Sequence, residues 1–236
     1  MIRIDKYLAD MSVGTRSEVK RMIRNGMVRV GDQPVKKPEF KIDESKDIVC
    51  IGDRQISYVT EEYYMLNKPG GVVSATEDAM HRTVVDLIDS KKRKDLFPVG
   101  RLDKDTEGLL IITNDGALSH RLLSPKKHVD KTYYAKINGK VTDLTIEQFG
   151  KGIEIGTDEK SEMTKPGKLE IISSGDTSEI RLTIQEGKYH QVKRMFQAVG
   201  MEVTYLKRES MGNLRLDPEL KPGEYRPLTK EELENI

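Results

Sequence analysis

The chain has 236 residues, of which 36 % are hydrophobic and 33 % charged, with a formal net charge of +1. That length fits one large domain or a small domain followed by a medium one, and the charge density demands a well-solvated surface around a modest core. The single cysteine, Cys50, excludes an internal disulfide scaffold and a multi-cysteine zinc site. No apolar run approaches the ~18 residues of a membrane-spanning helix, and the charges within Met1 to Asp10 are unlike a signal peptide, so a cytoplasmic protein is expected.

Charge is unevenly spread. Residues 1–42 carry ten Lys/Arg against five Asp/Glu, and local clustering governs phosphate binding more than the total does. Ile4, Tyr7 and Leu8 have helical spacing. Thr15-Arg16-Ser17-Glu18 reads as a capped helix start, with Thr15 as cap and Glu18 three residues on. Val19, Met22 and Ile23 then form an apolar stripe, while Arg16, Lys20 and Arg24, with Arg21 beside them, form a cationic one. Asn25-Gly26 ends this helix, Met27 to Val30 reads as a strand, Gly31-Asp32 as a turn and Asp47 to Ile51 as another strand. A lone cationic stripe is most often a solvated face. Here more Lys follows with few acids between, which favours RNA binding through Arg3, Arg16, Lys20, Arg21, Arg24 and Arg29.

Gln55 to Glu62 is polar and lacks an element signal, placing a boundary near residue 58 and dividing the chain into 1–58 and 59–236. Tyr63 to Lys68 predicts a strand, broken by Pro69-Gly70-Gly71, and Thr83 to Ile88 predicts a helix. Gly108 to Thr113 predicts a strand bounded by Asn114-Asp115-Gly116. Further strands are expected over Lys131 to Ile137, Lys168 to Ile172 and Ile180 to Ile184, and helices over Ala117 to Leu123 and His190 to Val199. Many strands without a βαβ rhythm suggest an α+β fold: a mixed, mainly antiparallel sheet with flanking helices.

Three segments can carry chemistry. Gly100 to Leu110 places Arg101, Asp103, Asp105 and Glu107 just before an apolar strand, where a carboxylate can be held rigidly at a cleft. A solvated turn is the commoner use of such a segment. In Lys131-Thr132-Tyr133-Tyr134 the two rings point to opposite faces, so one can stack on a base while the other packs. Glu186 to Phe196 puts Lys188, Lys193 and Arg194, with His190, at a helix start, suited to a buried carboxylate or RNA backbone. No HExxH, phosphate-binding loop or dinucleotide-binding glycine pattern occurs, so metal and nucleotide-cofactor chemistry have little support.

Two resemblances follow from these residues. Arg3, the Arg16–Arg24 helix, Asn25-Gly26, Val28-Arg29-Val30-Gly31 and Asp47-Ile48 resemble the small alpha-L RNA-binding domain first described in ribosomal protein S-four. The rest of the chain resembles the RsuA group of pseudouridine synthases. Gly100 to Leu110 is similar to that group's catalytic motif, which implies Asp103 as the catalytic carboxylate, and Lys131-Thr132-Tyr133 to the motif whose Tyr lies against the target base. Gln191 to Phe196 is similar to the motif whose cation pairs with the catalytic Asp, here Lys193, and Leu206-Lys207-Arg208 to the motif that supports the site. Leu66-Asn67-Lys68-Pro69, Thr164-Lys165-Pro166 and Lys221 to Thr229 resemble the member that modifies one uridine of 16S ribosomal RNA.

The resemblance implies an isomerase that needs no cofactor or metal. Asp103 would act as nucleophile or base, with Lys193 orienting it. Tyr133 would support the detached uracil, Arg101 would occupy space or contact phosphate as the base flips, and Arg194 and Leu206 would bind substrate or support the site. The partner is expected to be 16S ribosomal RNA in a small-subunit assembly intermediate, met by a monomer. A 23S uridine target and a non-enzymatic assembly factor are the alternatives. The intact Asp103, Tyr133 and Lys193 set argues against the latter.

Overall fold

Thr15 and Glu18 form the expected reciprocal cap. The Glu18 amide donates to Thr15 Oγ1 at 3.3 Å, and the Thr15 amide donates to Glu18 Oε2 at 2.8 Å. The molecule is known from a computed structural model, which describes residues 1–156 and 161–236. Its chain forms two compact units, Met1–Glu62 with Asp89–Leu96, and Tyr63–Ile88 with Phe97–Ile236. Among the described residues no helix is long and apolar enough to cross a membrane.

The first unit runs β1 (Ile2–Arg3), α1 (Ile4–Asp10), α2 (Arg16–Arg24), β2 (Val28–Val30), β3 (Gln33–Val35), β4 (Lys41–Ile42), β5 (Val49–Ile51) and β6 (Arg54–Ile56). β1 pairs with β4, and the other strands form an antiparallel sheet in the order β3-β2-β5-β6. Ile4, Tyr7 and Leu8 of α1 and Val19 and Ile23 of α2 are buried against Val28, Ile42 and Val49. Tyr7 spends its hydroxyl on the Ile56 carbonyl at 2.6 Å, as a buried phenol must find an acceptor. Asp89–Leu96 is tied to this unit by backbone amides of Lys92 and Arg93 to Glu62 and of Lys94 to the Asp10 carbonyl, and by Arg93, whose guanidinium binds Asp95 at 2.6 and 2.9 Å, donates to the Val59 carbonyl and lies 5.4 Å from the Tyr58 ring centre.

The second unit contains β7 (Tyr63–Lys68), β8 (Phe97–Pro98), β9 (Glu107–Thr113), α3 (Gly116–Leu123), β10 (Lys131–Asn138), α4 (Asp143–Lys151), β11 (Lys168–Ser173), β12 (Thr177–Ile184), α5 (Gln191–Ala198), β13 (Glu202–Met211), β14 (Leu214–Arg215), β15 (Tyr225–Pro227) and α6 (Lys230–Glu234). Its sheet has the order β11-β12-β10-β13-β9-β7-β15, with β14 on β13 and β8 on β9. The sheet is mixed and mainly antiparallel, as expected; the parallel pair is β9 with β13. β9 is buried on both faces, which accounts for its unbroken apolar run. Leu109 and Ile111 join Met65, Val99, Leu118, Leu122 and Met211 in one core.

The structure differs from the local expectations at several places. Thr83 to Ile88 is not an α-helix: Thr83 and Asp86 cap each other, and only a three-residue 3-10 turn, Val85–Leu87, forms between them. The ten-residue β13 and the helix α4 went unpredicted. In β13, Lys207 and Arg208 sit within the strand and mask its alternation.

The β9–β13 pairing leaves no room for a side chain at residue 108. Gly108 has φ +100°, and an added Cβ would lie 2.3 Å from the Arg208 carbonyl oxygen. Gly108→Ala is therefore expected to lower stability by about 2 kcal/mol or more. Gly116→Ala, at the start of α3 with nothing within 4 Å of the new methyl, is the control and should be neutral or mildly stabilising. Urea midpoints of the two variants check this, and equal midpoints would show that the strands can separate freely.

Candidate active site

The site is assembled on three adjacent strands, β10-β13-β9. The loop before β9 carries Asp103. β10 contributes Tyr133, and β13 contributes Leu206, whose neighbour on β10 is Ala135, two residues beyond Tyr133 and so on the same face. α5 leads into β13 and supplies Lys193. Arg101, Asp103, Tyr133, Lys193 and Leu206 line one open cleft with Thr106, Ile184, Lys188, His190 and Gln191. Tyr133 and Leu206 are buried and form its floor. Tyr134, on the opposite face, packs edge-on against Tyr205 at 6.1 Å.

The Asp103 loop is fixed by polar contacts from β7 and the turn after it. Lys68 is wholly buried, and its ammonium donates to the carbonyls of Pro69 at 3.0 Å, Lys104 at 3.2 Å and Thr106 at 2.8 Å. Ser74 Oγ donates to the Leu102 carbonyl at 2.8 Å and accepts from the Leu102 amide at 3.1 Å. The Gly71 amide reaches the Lys104 carbonyl at 2.8 Å. Residues 102, 104 and 106 are thus each pinned, with Asp103 between them. Burial pushes the Lys68 ammonium down to about 8, against the opposing pull of the Asp105, Glu107 and Asp103 carboxylates.

Asp103 meets two basic groups. Lys193 Nζ is 3.3 Å from Oδ2, and His190 Nε2 is 3.5 Å from Oδ1. Lys193 is closer still to Asp105, at 2.6 and 2.8 Å. Burial works against the Lys193 charge, but the Asp105 hydrogen bond and the Asp103 field together raise it above the ordinary lysine value. The same contact with Lys193 lowers Asp105, whose side chain is 73 % exposed. One lysine therefore bridges two carboxylates of different accessibility. An exposed ion pair contributes only about 0.2–1 kcal/mol, so the Asp105 half is readily exchanged.

The other expected residues lie as follows. Arg101 is exposed at the cleft rim. Arg194 turns away from Asp103: it binds Glu162 at 2.7 Å, the Ile155 carbonyl, and the Tyr189 carbonyl at 3.1 Å. Lys68 and Ser74 were not expected as site residues, and His190 was expected only as part of the Glu186 to Phe196 segment, with no role of its own. His190 is within reach of Asp103 because its backbone takes a left-handed turn, φ +47°, which no residue pattern announces. In the first unit, Arg3, Arg16 and Lys20 line one groove with Lys6 and Asp5. Arg3 is paired with Asp5, Arg29 donates to the Gly52 carbonyl, and Arg21 and Arg24 are exposed on the last turn of α2.

Residues 62–198 match the model of a family described as RNA pseudouridylate synthase. This span covers more than half of the chain. The chain belongs to the RNA pseudouridylate synthase family. Residues 2–49 match the S4 domain. The chain is 50 % identical to an uncharacterized RNA pseudouridine synthase of Bacillus subtilis, YtzG, over 98 % of its own length and 97 % of that protein's. It is 42 % identical to ribosomal small subunit pseudouridine synthase A of Escherichia coli, with both chains covered in full, and 44 % identical to the protein of that name from Vibrio cholerae. A crystal structure of a pseudouridylate synthase superposes with a TM-score of 0.68 at 38 % identity, covering 100 % of this chain and 99 % of the other. Within the family the chain is of the RsuA type: an S4 domain followed by a catalytic domain that isomerises uridine to pseudouridine in RNA.

Lys68 generates a prediction with a definite sign. Its folded-state value, about 8, lies below the 10.5 of a free lysine, so between these the unfolded chain binds more protons. Stability contributed at this position therefore rises with pH across that window. Lys68→Met keeps the apolar stem but removes a donor from three carbonyls, of which that of Lys104 keeps the Gly71 amide, and is expected to lose about 1–3 kcal/mol. Urea denaturation at pH 8, 9 and 10 should show the gap between wild type and variant widening. A constant gap would place the titrating proton elsewhere.

Proposed function

We propose that the substrate is a uridine of 16S ribosomal RNA, met in a small-subunit assembly intermediate, and that Asp103 is the catalytic carboxylate. The relatives named small subunit pseudouridine synthase A, aligned along the whole chain, support the RNA target. One observation carries the chemical assignment. Asp103 lies in the cleft within ion-pair distance of Lys193 and His190, beside a floor of Tyr133 and Leu206.

Isomerisation breaks the bond between ribose C1′ and uracil N1 and forms a bond from C1′ to C5. The C5 proton leaves and N1 gains one, so atoms and electrons balance without an oxidant or reductant. The uridine must first leave the base stack. A carboxylate at the sugar–base junction then either attacks or removes a sugar proton, and Lys193 orients it for either step. Tyr133 and Leu206 offer the detached uracil an apolar surface on which to turn. Arg101, at the rim, suits the phosphate of the extruded nucleotide.

Asp103→Asn is expected to bind 16S RNA as the wild type does while pseudouridine formation falls at least about 10³-fold. Asp105→Asn, altering the exposed partner of Lys193, should lose less than about tenfold. Pseudouridine mapping of both ribosomal RNAs in a deletion strain carrying each variant reads both outcomes. Activity in the Asp103 variant would sink the assignment, and restoration of a site in 23S RNA alone would sink the target.

The cationic groove of the first unit is proposed to hold RNA phosphates. Replacing Arg16 and Lys20 together by Ala should weaken binding uniformly across sequences and reduce the slope of log affinity against log salt by about 1–2. An unchanged slope would mark the groove as ordinary surface.

A further inference from the structure

Tyr189 is 75 % exposed, an unusual position for an aromatic ring beside a catalytic cleft. Its ring is stacked on His190, with centres 3.8 Å apart and planes inclined by 20°. That contact covers one face of the phenol and leaves the opposite face to solvent. His190 is the same residue whose Nε2 stands 3.5 Å from Asp103. The open aromatic face is therefore one stacked ring away from the carboxylate.

The turn that presents this pair is held rigidly. Gln191, buried, accepts from the Lys188 amide at 2.8 Å and donates to Glu186 at 2.8 Å, and Glu186 in turn accepts from the Lys165 amide at 2.8 Å. Arg194 binds the Tyr189 carbonyl, and Lys188 Nζ donates to the Met163 carbonyl at 3.1 Å. His190 holds its left-handed backbone conformation inside this network. Strain of this kind persists where the surroundings over-determine it, often at ligand clamps. The polar groups of the turn are thus spent on holding it, while its one large ring is left outward.

We propose that the outer face of Tyr189 is a stacking platform for a nucleobase flanking the target uridine, backed by His190. An unpaired base next to an extruded nucleotide loses a stacking neighbour, and a fixed aromatic ring replaces it. The target uracil enters the cleft beside Tyr133 while its neighbour rests on Tyr189. The platform rests on the placement of the reacting uridine at Asp103.

The chain contains no tryptophan, so Tyr189→Trp introduces a single fluorescent reporter at this position. Titration with a 16S RNA transcript is expected to quench its emission, in the otherwise native protein and equally in combination with Asp103→Asn. Unquenched emission at RNA concentrations that saturate a filter-binding assay overturns the platform. In steady-state assays Tyr189→Ala should raise KM for the transcript about tenfold with kcat within about twofold, and Tyr189→Phe should recover most of that loss. A fall in kcat alone, or equal defects in the Ala and Phe variants, also overturns it. An active Asp103→Asn enzyme that still shows quenching would refute the catalytic assignment and leave the platform standing.

Discussion

At residue 108 the backbones of β9 and β13 come so close that only hydrogen fits between them, and the geometry of the site follows from that approach. Parallel strands cannot be joined by a short hairpin, so they bring together parts of a chain far apart in sequence. Here they place the loop before β9 beside α5 and β13, which come much later in the chain. Asp103 and Lys193 are 90 residues apart in the chain and meet because Gly108 lies against Arg208. β10, the other neighbour of β13, then adds Tyr133 to the same face.

The approach of the strands fixes a location; the polar network fixes an orientation. Asp103 sits in a loop whose carbonyls would wander in solvent. Lys68 and Ser74 bind the residues on either side of it. This costs the desolvation of an ammonium, visible in the depressed Lys68 value, and offsets it with three carbonyl acceptors. Among the described residues, the Asp103 carboxylate then has its ion pairs with Lys193 on α5 and His190 in the turn before it, and it faces the cleft.

What could be read from the sequence depended on range. The α2 cap is complete within four residues, and Thr15 and Glu18 announced it. The buried run of β9 and the opposed rings of Tyr133 and Tyr134 are likewise local, since strand alternation is a property of neighbours. The contacts of Lys68 reach residues 36 and 38 positions away, so no window of sequence contains them. His190 depends on a backbone angle rather than on residue type. Arg194, adjacent to Lys193 in sequence, projects elsewhere on the helix and ties down the turn at Tyr189, a placement that adjacency alone does not reveal. Asp89–Leu96 carries no signal of its own, and its membership of the first unit rests on contacts from Lys92, Arg93 and Lys94 to Glu62, Val59 and Asp10.

That short returning segment bears on how such a protein is inherited. A module ending cleanly at residue 58 could be shuffled onto any catalytic body by one recombination event. Here the module would arrive without the guanidinium that lies over Tyr58 and caps the Val59 carbonyl. A transplant that keeps these contacts carries two stretches of gene, the second lying inside the sequence of the other unit. The pairing of RNA-binding head and isomerase body is, to that extent, written into both halves.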